Sequence, residues 1–226
     1  MSATNKYPNI TENGLKLISL IDHTNLRPEA TESDIRRLCE EAMHYKFKAV
    51  CVNLCRAQLA CSILKTSGIA VATVTGFPLG AVSTLQKVKE TAEAAVTGAT
   101  EIDMVMNVGY LKDKEYRKVK EDIHAVVLAA NGRPVKVILE TCLLNEEEKI
   151  TACKLSAEAG AHFVKTSTGF SLSGATEADI RLMRNTVGPK MGVKASGGIK
   201  TTETALKMVA AGANRLGTSA GVQIVT

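Results

Sequence analysis

The chain has 226 residues, of which 45% are hydrophobic and 23% charged, and carries a formal net charge of +5; this is the make-up of one globular domain long enough to bury a full core. Aromatic residues are 4% and tryptophan is absent, so stacking platforms for single-stranded nucleic acid are missing, and no Lys/Arg cluster is dense enough to grip a duplex. No apolar run approaches the roughly 18 residues of a membrane span, so the expectation is a cytoplasmic protein that acts on a small anionic molecule, without nucleic-acid or membrane partners.

In chain order, the segment before Ser19 reads as a short helix covering the bottom of the fold. Short apolar runs then predict strands at 19–22, 48–52, 69–75, 101–106, 135–140, 162–165, 191–194 and 214–217. Between them lie amphipathic helical patterns. Thr31 to Asp34 reads as a capping start, followed by a stripe of Ile35, Leu38, Cys39, Ala42 and Met43. A second stripe runs through Tyr116, Val119, Ile123, Val126, Val127 and Ala130, and the charges from Lys112 to Lys118 read as its solvated start. Gly68, Gly98, Gly132, Gly160, Gly188 and Gly212 each follow a helical stretch, where a left-handed residue closes a helix. The six cysteines, Cys39, Cys51, Cys55, Cys61, Cys142 and Cys153, show no disulfide-like or Cys-x-x-Cys spacing and are expected to be reduced.

Eight strand–helix units at about 28 residues each fit a compact, single-domain (β/α)₈ TIM barrel spanning residues 1–226. The alternative, an open doubly wound sheet, lacks its usual Gly-x-Gly-x-x-Gly turn. In a barrel strand, alternate residues face the axis. Lys136 and Glu140 share one parity and Asp103 joins Glu101 and Val105 on another strand's inner face. Asp22, Lys165 and Lys194 end the first, sixth and seventh predicted strands. For Lys136 and Glu140 an interior ion pair is the plainer reading, and Cys51 reads as a small buried hydrophobe that could also touch a ligand.

Two lysines at adjacent strand ends suggest a specific chemistry. An amine attacks a carbonyl only when uncharged, and lysine in water has a pKa of about 10.4. Burial and a neighbouring cation both disfavour its charge, so Lys194 would keep Lys165 free to form a Schiff base. Asp103 would shuttle protons. The turns Ser196-Gly197-Gly198 and Gly217-Thr218-Ser219, with Gly169, offer backbone N–H groups for a phosphate. The four histidines show no metal-ligand spacing, and His44 and His124 read as surface or packing residues.

The segments IDHTNL (21–26), KAVCVN (48–53), VTGFPLGA (74–81), EIDMVMN (101–107), KVILETC (136–142), FVKTSTGF (163–170), VKASGGI (193–199) and RLGTSAG (215–221) together resemble the deoxyribose-phosphate aldolase family. The resemblance implies a class I aldolase that splits 2-deoxy-D-ribose 5-phosphate into acetaldehyde and D-glyceraldehyde 3-phosphate without metal or other cofactor. It implies Lys165 as the Schiff-base residue, Lys194 as its perturbing neighbour and Asp103 as the paired acid/base. Asp22, Thr24 and Cys51 match groups near the sugar, and Thr168, Gly169, Gly197, Gly198 and Ser219 match anchoring loops; Lys136 and Gly217 join this substrate-site set from the strand reading. A dimer or tetramer is implied too. Phe170 stands where some members carry a lysine, and no C-terminal tyrosine follows Thr226, so phosphate affinity and proton exchange are expected to differ from theirs. A transaldolase-type enzyme or a non-catalytic sugar-phosphate sensor on the same barrel are the alternatives.

Overall fold

Residues 7–226 are described by a computed structural model. Eight parallel strands close into a barrel in sequence order: β1 (Ile21–Asn25), β2 (Ala49–Val52), β3 (Ala70–Thr75), β4 (Glu101–Val105), β5 (Val135–Ile138), β6 (Phe163–Lys165), β7 (Gly192–Ser196) and β8 (Arg215–Thr218). Closure is direct, with Ile21 beside Leu216 and Asp22 beside Gly217. The helices alternate with them: α1 (Glu12–Leu17), α2 (Glu32–Tyr45), α3 (Leu54–Leu64), α4 (Thr84–Val96), α5 (Val108–Lys112), α6 (Tyr116–Ala129), α7 (Glu146–Glu158), α8 (Glu177–Val187), α9 (Thr202–Ala210) and α10 (Gly221–Val225).

Strand parity divides the apolar residues into two groups. Val50, Val52, Ile102, Met104, Val135, Val137, Val164 and Leu216 join one large buried cluster with Ile35, Leu38, Val119, Ile123 and Val126 of α2 and α6. Cys51, Ala72 and Val74 form a separate small cluster with Leu26, on the opposite parity. The first group is the layer between strands and helices, the second part of the barrel interior. The interior is mixed, since buried Asp22, Asp103, Lys136 and Lys194 share it with Val105 and Ile138 as well as that small cluster.

Local chemistry sets the element ends. Thr31 and Asp34 form a full capping box on α2, and all six helix-ending glycines take positive φ. The short N-terminal helix is present as α1 and packs against α9 and α10. Some boundaries differ from expectation. Residues Ile18–Leu20 form a 3₁₀ turn, which moves β1 toward its C-terminal end and puts Asp22 inside the strand. Lys194 likewise sits mid-strand in β7. β5 ends at Ile138 because Glu140 turns into the left-handed region at φ 47°. In the stripes, Met43 and Tyr116 are exposed, and Tyr45 fills the buried position at the end of α2. The charged run from 112 to 118 contains a turn, with Lys114 at φ 59°, and α6 starts only at Tyr116.

Candidate active site

Asp103 of β4 lies at the centre of the polar groups in the barrel interior. Its Oδ1 accepts from Lys136 Nζ at 2.6 Å, and its Oδ2 accepts from both Lys165 Nζ at 2.9 Å and Lys194 Nζ at 2.8 Å. Strand register brings these together, since Asp103 pairs with Lys136 and Lys165 with Lys194. Sharing one oxygen places the Lys165 and Lys194 nitrogens within about 6 Å of each other, the range in which like charges disfavour one another.

A second tier supports the first. Lys194 also donates to Asp22 Oδ2. The other oxygen of Asp22 is held by the Arg215 guanidinium, whose Nε lies 2.8 Å away, and Arg215 Nη2 reaches Glu101 Oε2 at 2.7 Å. Lys136 bridges to the same Glu101 at 2.7 Å. Lys136, Lys165, Lys194 and Arg215 thus face Asp22, Glu101 and Asp103, leaving one cation in excess of neutrality.

The electrostatics single out Lys165. Burial lowers the pKa of all three lysines, but in Lys194 and Lys136 the carboxylates outweigh it and the ammonium is held above its ordinary value. In Lys165 burial, aided by Lys194, outweighs Asp103, and the amine falls below its ordinary value. Its one ion-pair partner among the described residues is Asp103. Burial pushes the Asp103 carboxyl up, yet Lys136, Lys165 and Lys194 together hold it well below the usual carboxylate range. Asp22 is lowered against the same burial by Lys194 and Arg215. Burial raises the Cys51 thiol, with Asp103 adding to it, so this cysteine is a neutral wall of the interior.

A cavity of about 550 Å³ opens above this cluster. Of the expected site residues, Lys165, Thr24, Thr168, Gly169, Gly197, Gly198, Gly217 and Ser219 line it, whereas Asp22, Cys51, Asp103, Lys136 and Lys194 lie buried beneath it. Lys165 is therefore the lysine of the cluster that reaches the open space. Gly197 adopts φ 83°, and a Cβ there would stand 2.9 Å from Gly174 Cα; the β6 and β7 loops meet at this point. Gly217 has another use besides bordering the cavity. It lies within β8, where a Cβ would stand 3.0 Å from Lys194 Cε, so its missing side chain makes room for that lysine.

One expectation needs revision. Lys136 does not pair with Glu140 but with Glu101 and Asp103. Because the chain turns sharply at Glu140, its buried carboxylate faces the β6 loop and accepts from the Thr168 hydroxyl. The Arg215 and Glu101 roles escaped the sequence reading, although Arg215 stands two residues before Gly217 on the same inward parity. The cavity rim also carries Arg27, Arg37 and Lys200, none of them singled out by motif. Phe170 is half exposed and meets Phe77 edge-on at 5.4 Å.

Comparison with known proteins matches residues 16–225 to the DeoC/LacD family of aldolases. The chain is 58% identical over 216 residues to a deoxyribose-phosphate aldolase of Thermococcus gammatolerans, covering 94% of this chain and 96% of the relative. It is 57% identical over 208 residues to one of Natranaerobius thermophilus, covering 92% and 94%. Among solved structures, a tetrameric deoxyribose phosphate aldolase of Aeropyrum pernix superimposes with a TM-score of 0.87 at 34% identity, over 94% of this chain and 93% of that one.

Proposed function

Since the chain belongs to the DeoC/LacD aldolase family, we propose that it cleaves 2-deoxy-D-ribose 5-phosphate reversibly to acetaldehyde and D-glyceraldehyde 3-phosphate through a Schiff base on Lys165. The uncharged Lys165 amine adds to the C1 aldehyde, and loss of water leaves an iminium. That cation draws the electrons of the C2–C3 bond as it breaks, while the C3 hydroxyl gives up its proton and becomes the aldehyde of the departing glyceraldehyde 3-phosphate. The remaining enamine takes a proton at C2, and hydrolysis releases acetaldehyde. Asp103 and Lys194 relay these protons, the carboxylate accepting and the ammonium donating. The phosphate is assigned to the backbone N–H groups of Gly169, Gly197, Gly198 and Ser219, in the cavity that Arg27, Arg37 and Lys200 also line.

What carries this reading is the asymmetry among three lysines on one carboxylate: the one that borders the cavity is the one whose charge the surroundings disfavour. Cytoplasmic location, a role in deoxyribonucleoside breakdown and assembly into a dimer or tetramer go with it; among the described residues no helix is long and apolar enough to cross a membrane. Lys165→Ala should abolish cleavage of 2-deoxyribose 5-phosphate, followed as release of glyceraldehyde 3-phosphate, while leaving the fold intact. Residual turnover near that of the unaltered protein would exclude Lys165, and preference for a ketose phosphate over the deoxy sugar would move the substrate assignment to a transaldolase-type reaction.

A further inference from the structure

The cluster beneath the cavity contains a buried cation that neither touches the cavity nor meets the nucleophile. Arg215 is 6% exposed, donates to Asp22 and Glu101 at once, and packs its guanidinium over the Phe163 ring with 5.9 Å to the centroid. An arginine this enclosed is costly to desolvate unless its charge is used. If Asp22 and Glu101 only needed shielding, Lys136 and Lys194 already contact them. The addition of Arg215 turns a balanced set of charges into one with a cation in excess.

We propose that Arg215 is a positioning residue of the aldolase site: by engaging Asp22 and Glu101 it creates the excess positive charge that leaves Lys165 as the uncharged member of the cluster. Asp103 from β4, Lys194 from β7 and Cys51 from β2 act on Lys165 directly, and Asp22 from β1, Glu101 from β4, Lys136 from β5 and Arg215 from β8 are joined to them by ion pairs; the inward residues of β3, Ala72 and Val74, are apolar. Among the cations, Lys136 and Lys194 each have two carboxylate contacts and Arg215 has two, whereas Lys165 has one. A buried set with one charge too many sheds a proton where that proton is held least. Arg215 also fixes Oδ1 of Asp22, which turns Oδ2 toward Lys194 and keeps that lysine protonated.

The inference rests on the Schiff-base reading, and the two are separable by experiment. The pH dependence of kcat/KM for cleavage is measured for the unaltered enzyme, Arg215→Met, Arg215→Lys and Glu101→Gln, and the unaltered enzyme is trapped with borohydride and mapped. Lys165 and Arg215 are two strand spacings apart, about 10 Å, so removing the charge should move the acid limb upward by about one pH unit at an effective dielectric of about 20. Arg215→Lys, which keeps the charge, should retain the original limb even if its melting temperature falls. Glu101→Gln should move the limb downward, since it deepens the positive excess. A limb unmoved in Arg215→Met, or moved equally in Arg215→Lys, overturns the proposal even when trapping confirms Lys165. If Arg215→Met does not fold, Glu101→Gln decides alone, a downward shift supporting and an unmoved limb refuting. Trapping on a different residue would instead sink the Schiff-base reading itself.

Discussion

Replacing Lys194 with methionine removes the cation nearest the proposed nucleophile while keeping most of the side-chain volume. The two nitrogens share Asp103 Oδ2 at 2.8 and 2.9 Å. At a separation of about 6 Å and an effective dielectric of about 20, their repulsion amounts to about 3 kcal/mol, a hundredfold in an ionisation equilibrium. The sign follows from which form reacts. Lys165 attacks as the free amine, and loss of a neighbouring positive charge makes its protonated form easier to keep. The acid limb of kcat/KM should therefore rise by about two pH units. At a pH well above the new limb, part of the lost activity should return; the remaining deficit measures proton relay by Lys194. The assay is release of glyceraldehyde 3-phosphate across the pH range, on protein shown to be folded. A limb in its original place, with activity reduced evenly at every pH, would refute the electrostatic role and leave Lys194 as a proton carrier alone.

The same cluster makes opposite predictions for stability. Lys165 is held below its ordinary pKa by burial, so its charge is unwelcome in the fold, and Lys165→Met should melt at or above the temperature of the unaltered protein at pH 7. Lys194→Met takes one partner from Asp22 and one from Asp103, which keep Arg215 and the other two lysines respectively, and should cost about 1.5–3 kcal/mol in urea unfolding. Asp22 and Asp103 both lie below the ordinary value near 3.8 in the fold. Their stabilisation is complete above that value and is lost as the pH falls through the lower folded values, which an acid titration of unfolding free energy would show. Away from the site, Lys87 of α4 donates to Asp122 of α6 at 2.6 Å with both side chains buried. Asp122→Ala should cost about 3–5 kcal/mol by leaving that ammonium unpaired, with the pH profile of catalysis unchanged; a loss under 1 kcal/mol would show that the pair is not a principal tie between the helices.

Much of this organisation is written plainly in the chain because a parallel barrel repeats one unit. Most strands are short apolar runs, most of the outer helices are followed by a glycine, although α2 closes on left-handed Lys46, and Lys165, Asp103 and the glycine turns stand at motif positions. Boundaries were less legible. Ser19 and Leu20 look like the start of a strand but continue the 3₁₀ turn after α1, and nothing in their side chains opposes either conformation. Partners across the barrel were the hardest to read. Lys136 and Glu140 share a parity, yet which carboxylate a lysine reaches depends on strand stagger and on where the backbone leaves the sheet. Arg215 is hard to pick out because a charged residue near the start of an apolar run looks like a solvent-facing end; only closure of the barrel places it beside Asp22 and Glu101. Lys87 and Asp122 lie on separate helices, among other charges that are exposed.

The central claim is that the Lys165 nitrogen becomes covalently bonded to a carbonyl carbon. Incubating the protein with acetaldehyde and borohydride, then measuring intact mass and mapping the peptide, tests it directly. A gain of about 28 Da, one ethyl group replacing a hydrogen on nitrogen, should appear on Lys165 in near-stoichiometric yield and be absent in Lys165→Ala. Mass unchanged under turnover conditions, or the same gain located on Lys194 or Lys136, would contradict the account.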